Sequence, residues 1–136
     1  MVLRGAAYRT QVPLSPGLHG SAKLVVTDAD TAIALKSGEV AVLGTPRLIA
    51  LVEEAALGAV AESLPAGQTT VGMRVQVDHL APTNVGSAVA AEATLEKVEG
   101  RRLTFTVSVT DHCGLVAAGK VTRVIVETER FLDKAR

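Results

Sequence analysis

One segment limits what this chain can fold into: TPRLIALVEEAALGAVAESL, from Thr45 to Leu64. Thr45 suits an N-cap, Pro46 suits the first helical position, and Pro65-Ala66-Gly67 ends the run, so the spacing predicts a helix of about five turns. Leu48, Ile49, Leu51, Val52, Ala55, Ala56, Ala59 and Val60 cover most of its circumference. Only Arg47, Glu54, Gly58 and Glu62 form a narrow polar stripe. A helix this apolar has no broad side that can face water, so the rest of the chain must enclose it.

The material for enclosure follows directly. TTVGMRVQVDHL, SAVAAEATLEKV, RRLTFTVSVTDH and GLVAAGKVTRVIVETE have strand character, are separated by turn signals and are spaced as a meander. In LTFTVSV, alternation puts Leu103, Phe105, Val107 and Val109 on one face and Thr104, Thr106, Ser108 and Thr110 on the other, so one face is buried. Glu99-Gly100 marks a hairpin between the second and third of these stretches. Ahead of the helix, AKLVVT reads as a strand, broken by Asp28-Ala29-Asp30, and a short apolar piece, TAIAL, is broken again at KSGE. The expected fold class is α+β, a curved antiparallel sheet of about five strands wrapped around one long central helix. Its free edge invites pairing with a second copy. Residues 1–18, with Pro13, Pro16 and Gly17, read as an N-terminal arm, and residues 19–136 as a single domain.

Composition narrows the function classes. With 14 basic and 14 acidic residues the formal charge is zero, and Arg101-Arg102 is the longest basic cluster, so the footprint of a nucleic-acid binder is missing. The absence of a run of ~20 apolar residues argues against a membrane span, and MVLRGAAYRT lacks the apolar region of a signal peptide, so a cytoplasmic location is expected. Cys113, alone, forms no internal disulfide and no CxxC metal pair, and is expected to be a small buried apolar residue in a reducing compartment. One Tyr, two Phe and no Trp leave an aliphatic core of Val, Leu, Ile and Ala.

Three residues stand out chemically. Glu54 falls in register with Arg47, Gly58 and Glu62, whereas Glu53 shares its face with Ile49, Ala56 and Val60. A carboxylate on that face costs several kcal/mol unless it is paired, hydrogen-bonded or protonated. It either pairs with a base such as Arg74 or Arg123 or serves a reaction. His79 ends the strand-like VGMRVQVDH and precedes LAPTNVG, where an imidazole emerges from a sheet into a loop. Thr45 lies at a helix N-terminus, whose free N–H groups and positive dipole end suit a thioester carbonyl becoming an oxyanion. Eight residues separate Thr45 from Glu53, roughly 12 Å along a helix, so a shared site would take them from different subunits.

GTPRLIALVEEAA, VGMRVQVDHLAPTNVG and EGRRLTFTVSVTD, in this order across residues 19–128, resemble the fluoroacetyl-coenzyme A thioesterase family of hotdog proteins. The resemblance implies a hotdog fold, a homodimer or dimer of dimers, and acyl-coenzyme A bound at the subunit interface. It implies catalytic roles for Thr45, Glu53 and His79, substrate positioning at Gly72, and a binding role for Arg123 in KVTRVIV. Glu53 would attack the carbonyl or activate water, His79 would move protons, and Thr45 would orient the carboxylate or bind the carbonyl oxygen. No metal and no cofactor beyond the coenzyme A of the substrate is implied. The lid segment ALKSGEVAVLG has no Phe, Tyr or Trp, unlike relatives that select fluoroacetyl groups, and implies an open pocket for short or branched acyl chains. Lys120 and Thr122 also depart from the family's usual small and acidic residues. Two other readings are an acyl-coenzyme A binding module without turnover and a dehydratase acting on a hydroxyacyl thioester.

Overall fold

The computed structural model describes residues 12–136. Strand β1 (His19–Val25) is followed by a 3-10 turn (Asp28–Asp30), helix α1 (Thr45–Val60) and a second 3-10 turn (Ala61–Ser63). Strands β2 (Gln68–His79), β3 (Ala88–Glu99), β4 (Arg102–Asp111) and β5 (Gly114–Glu127) come next, and a short helix α2 (Thr128–Asp133) closes the chain. The strands form one antiparallel sheet in the order β1-β3-β4-β5-β2, with α1 on its concave face. This is the expected architecture, a five-stranded antiparallel sheet around one long helix. Residues 1–11 of the expected arm lie outside the described residues; residues 12–18 are tied down by the Gly17 amide, which donates to the Leu95 carbonyl at 2.8 Å, and by Leu14 and Leu18 packing on the core.

The four later strands are not a simple meander. β3, β4 and β5 are joined by hairpins, but β2 lies at the far edge beside β5, and residues 80–87 carry the chain across to β3. Alternation in a sequence tells which residues share a face, not which strand is a neighbour. Here β3 is held between β1 and β4, so β2 cannot neighbour it and pairs instead with the outer side of β5.

The helix also begins one residue earlier than its capping signals imply. Gly44 is the N-cap, with Thr45 already helical, and the α-helix tightens to 3-10 after Val60, ahead of Leu64, which is extended as the residue before Pro65. Backbone does the capping work: the Gly44 amide donates to the Asp30 carbonyl at 2.8 Å, and the Gly44 carbonyl accepts from Arg47 and Leu48. A side chain at 44 would press against the Ala32 backbone and Leu35. The Thr45 hydroxyl is thereby released from capping.

Leu48, Leu51, Val52, Ala55, Ala56 and Val60 of α1 are fully buried together with Leu95, Leu103, Phe105 and Val109 of the sheet. Each large aliphatic or aromatic side chain of this set contributes about 1.5–3 kcal/mol by leaving water. The anticipated inward face of β4 is the observed one, and Glu54 is exposed as expected. Small residues set the layer spacing: a Cβ at Gly20 would fall on the α1 backbone at Ala55 and Ala59, so β1 lies directly against the helix. Cys113 departs from expectation. It is exposed, because the β4–β5 hairpin places it in the turn, where its amide donates to Asp111 Oδ1 at 2.8 Å.

Strand β2 is a free edge, and residues 72–76 along it are exposed, including Met73 (46%) and Val75 (39%). No helix among the described residues is long and apolar enough to cross a membrane.

Candidate active site

The five residues singled out in the sequence fall into two groups, both touching β2. In the first, Thr45 Oγ1 lies 2.8 Å from His79 Nδ1. The first turn of α1 supplies Thr45, and the last residue of β2 supplies His79. Burial holds the His79 imidazole below its ordinary value of 6.5, an effect the Ala81 backbone partly offsets. Its other ring nitrogen, Nε2, is buried and has no hydrogen-bond partner among the described residues. Buried unpartnered polar atoms are rare in folded proteins and concentrate where a ligand or reaction uses them.

The surroundings of this pair are pinned by residues to which the sequence gave no signal. Thr83, 2% exposed, donates its hydroxyl to Asp111 Oδ2 at 3.2 Å, while its carbonyl accepts from the Leu43 amide at 2.9 Å. The loop after His79 is thus fastened both to the β4 end and to the segment entering α1. Asp30, read from sequence only as a strand break, forms a capping box with Thr27 and sits 3.3 Å from Arg47 Nε. The Thr27 backbone hydrogen bond is the main cause that lowers the Asp30 pKa, with Arg47 adding to it. Between loop and lid segment opens a cleft of about 310 Å³, lined by Thr45, His79 and mainly aliphatic side chains.

The second group is built around an ion pair. Arg123 Nη1 donates to Glu53 Oε2 at 2.8 Å, Nε donates to Thr70 Oγ1 at 2.8 Å, and Nη2 donates to the Thr70 carbonyl at 2.8 Å. Of the two bases considered as partners for Glu53, Arg123 is the one engaged; Arg74 is exposed. Arg123 is 7% exposed, whereas the Glu53 side chain keeps 33% of its surface open. Burial lowers the Arg123 pKa and the Glu53 carboxylate acts against that shift. Gly72 pairs with Arg123 in the ladder, and a Cβ at Gly72 would collide with Glu53 Oε2. Lacking a side chain at 72, β2 lets the carboxylate lie against its backbone, next to a bulge at Met73. Glu53 Oε1 makes no hydrogen bond among the described residues. Thr70, which anchors two of the three Arg123 hydrogen bonds, had no sequence signal beyond strand alternation.

A single subunit therefore brings Thr45 to His79 and Glu53 to Gly72 and Arg123, but does not join the pairs. The depressed His79 pKa has a measurable consequence. Its unfolded form takes up a proton more readily than the folded one, so its contribution to stability is complete above about pH 6.5 and is lost as pH falls toward the folded value. Melting curves from about pH 5 to 8 should show this slope in the wild type and a shallower one in His79→Gln. Equal slopes would show that the imidazole is not held in its neutral form by the fold.

Comparison with known proteins identifies the family. Residues 26–129 match the family described as fluoroacetyl-CoA-specific thioesterase. The fluoroacetyl-CoA thioesterase of Streptantibioticus cattleyicolor is 35% identical over 95 residues, which cover 70% of this chain and 68% of that one. A solved structure of a fluoroacetyl-CoA thioesterase superposes with a TM-score of 0.87 at 29% identity, over 92% of this chain and 97% of that chain. A Thermus thermophilus member of the thioesterase superfamily gives a TM-score of 0.83 at 25% identity, over 91% and 92%.

Proposed function

This chain belongs to the fluoroacetyl-CoA-specific thioesterase family and is a hydrolase of acyl-coenzyme A thioesters, and from that premise we propose that its active site forms between two subunits, with Glu53 of one facing Thr45 and His79 of the other. The observation that carries the proposal is the separation of the two groups within one subunit, each incomplete and each beside the exposed edge strand β2. Antiparallel pairing of β2 with a second β2 about an axis between Val75 and Gln76 sets Gly72 of each copy opposite His79 of the other. The exposed run 72–76, with Met73 and Val75, becomes the seam.

In this arrangement Glu53 is the base. Arg123 occupies Oε2 and fixes the carboxylate, and Oε1 remains to draw a proton from water as its oxygen adds to the thioester carbonyl carbon. The start of α1 and Thr45 meet the oxygen that becomes negative, and His79, its neutral ring accepting at Nε2 the proton that Glu53 drew from water, passes it to the departing coenzyme A sulfur, so that carboxylate and imidazole both return to their starting forms. The C–S bond breaks, yielding the carboxylic acid and the free thiol. Water, the thioester and these side chains balance the reaction, so the proposal invokes no metal or redox cofactor. We place the enzyme as a homodimer or a dimer of dimers.

Subunit complementation tests the shared site. Glu53→Gln and His79→Ala are each inactive alone; unfolded together and refolded as mixed dimers, they regenerate one intact site in every mixed dimer. Thiol release returning toward half the wild-type level in those dimers is the expected result. Mixed dimers as inactive as their parents would place all three residues of each site in one subunit.

A further inference from the structure

The cleft beside Thr45 and His79 bears on which acyl group the hydrolase accepts, an inference that rests on the proposed reading of this site. Its walls are Ala32, Val40, Val42, Leu43, Leu80 and Pro82, with Ser37 as the one polar side chain besides Thr45 and His79. No Phe, Tyr or Trp and no Asp, Glu, Lys or Arg lines it. Lys36 and Glu39 belong to the same lid segment but are exposed and are not part of the wall. Val40 and Leu80 each leave 60% of their surface open at the rim, apolar area that an acyl chain can cover. At about 310 Å³ the cleft is an order of magnitude larger than the ~30 Å³ share of one water. A two-carbon acyl group leaves most of it wet, and a dicarboxylic acyl group buries a carboxylate with no cation to receive it.

We propose that this site takes neutral aliphatic acyl groups of about four to six carbons, linear or branched, seated against Val40, Val42 and Leu80, and that Val40 in the lid sets the size accepted. Each methylene buried raises kcat/KM about fourfold, from the transfer free energy of one methylene group. Two of them separate butyryl from acetyl, so the expected gain is roughly tenfold or somewhat more.

The test uses the intact wild-type oligomer and follows thiol release from the acetyl, fluoroacetyl, butyryl, isovaleryl, hexanoyl, dodecanoyl and malonyl esters of coenzyme A. The expected order places butyryl, isovaleryl and hexanoyl roughly tenfold or more above acetyl and fluoroacetyl, with malonyl slowest. Val40→Phe should lower the isovaleryl-to-acetyl ratio of kcat/KM at least tenfold in a protein that stays folded, since Val40 is an exposed lid residue outside the core. A best substrate among acetyl, fluoroacetyl, dodecanoyl or malonyl would overturn the assignment while leaving the hydrolytic reading intact. An unchanged isovaleryl preference in a folded Val40→Phe would remove Val40 as the determinant. No release from any ester would overturn the hydrolytic reading and the assignment together.

Discussion

Glu53→Gln lowers kcat for thioester hydrolysis by about 10²–10⁴-fold, the range that positioned proton transfer contributes, while the protein keeps its fold and its melting temperature within a few degrees. The amide is nearly isosteric and still offers an oxygen to Arg123 Nη1, so the hydrogen bond now at 2.8 Å survives in neutral form. What it lacks is a carboxylate oxygen able to take a proton. Glu53→Ala is the harsher change, since it strands a guanidinium that is 7% exposed and still held by Thr70. Its loss of activity would therefore mix chemistry with packing. Thiol release and thermal melting on the glutamine variant separate the two, and turnover within tenfold of wild type would remove Glu53 from the reaction.

Arg123→Met has the opposite profile: it destabilises the fold as well as slowing turnover. Three donated hydrogen bonds vanish at once, leaving the Thr70 hydroxyl and carbonyl, at a residue 3% exposed, without the partner that satisfied them. Removing one side of a buried ion pair costs about 3–5 kcal/mol, and the 33% exposure of Glu53 moves this case to the lower end, because water can take over part of the solvation of its carboxylate. A loss of about 3 kcal/mol lowers the melting temperature by roughly 10 °C in a domain of this size. Urea unfolding provides the direct measurement. Arg123→Met combined with Glu53→Gln should cost less than the sum of the two, because they share one hydrogen bond. Strict additivity would mean that the two side chains are not coupled in the folded protein.

The contrast between these variants follows from where each charge sits. Glu53 lies at the boundary between helix and open edge, so it can be replaced without emptying the core. Arg123 comes from β5, projects to the same side as buried Val121 and Ile125, and is the group that holds the carboxylate in place. Gly72 completes the arrangement by leaving room for the carboxylate where a Cβ would collide with it.

Much of this was legible in the sequence, for identifiable reasons. A helix apolar on nearly every side, followed by several strand-like stretches, can be satisfied by enclosure in a curved sheet, and period-two alternation in residues 103–109 named the face that does it. The oddity of Glu53 was legible because charge on an apolar face is costly wherever the chain goes. The eight-residue spacing from Thr45 foretold that one subunit could not unite them, and the structure keeps them apart. The motifs around Thr45, Glu53 and His79 pointed to the family that the comparisons identify.

Tertiary structure decided what depends on partners distant in sequence. Pairing of β2 with β5 rather than β3, the choice of Arg123 over Arg74, the Thr83 to Asp111 strut and the release of Thr45 from capping by Gly44 all link residues that local patterns cannot relate. Exposure of Cys113 belongs with them, because a turn overrode the usual burial of a free thiol. Hydrophobic patterning acts along the chain and fixes which faces turn inward; hydrogen-bond partners and strand neighbours are selected in space, after the chain has closed on itself.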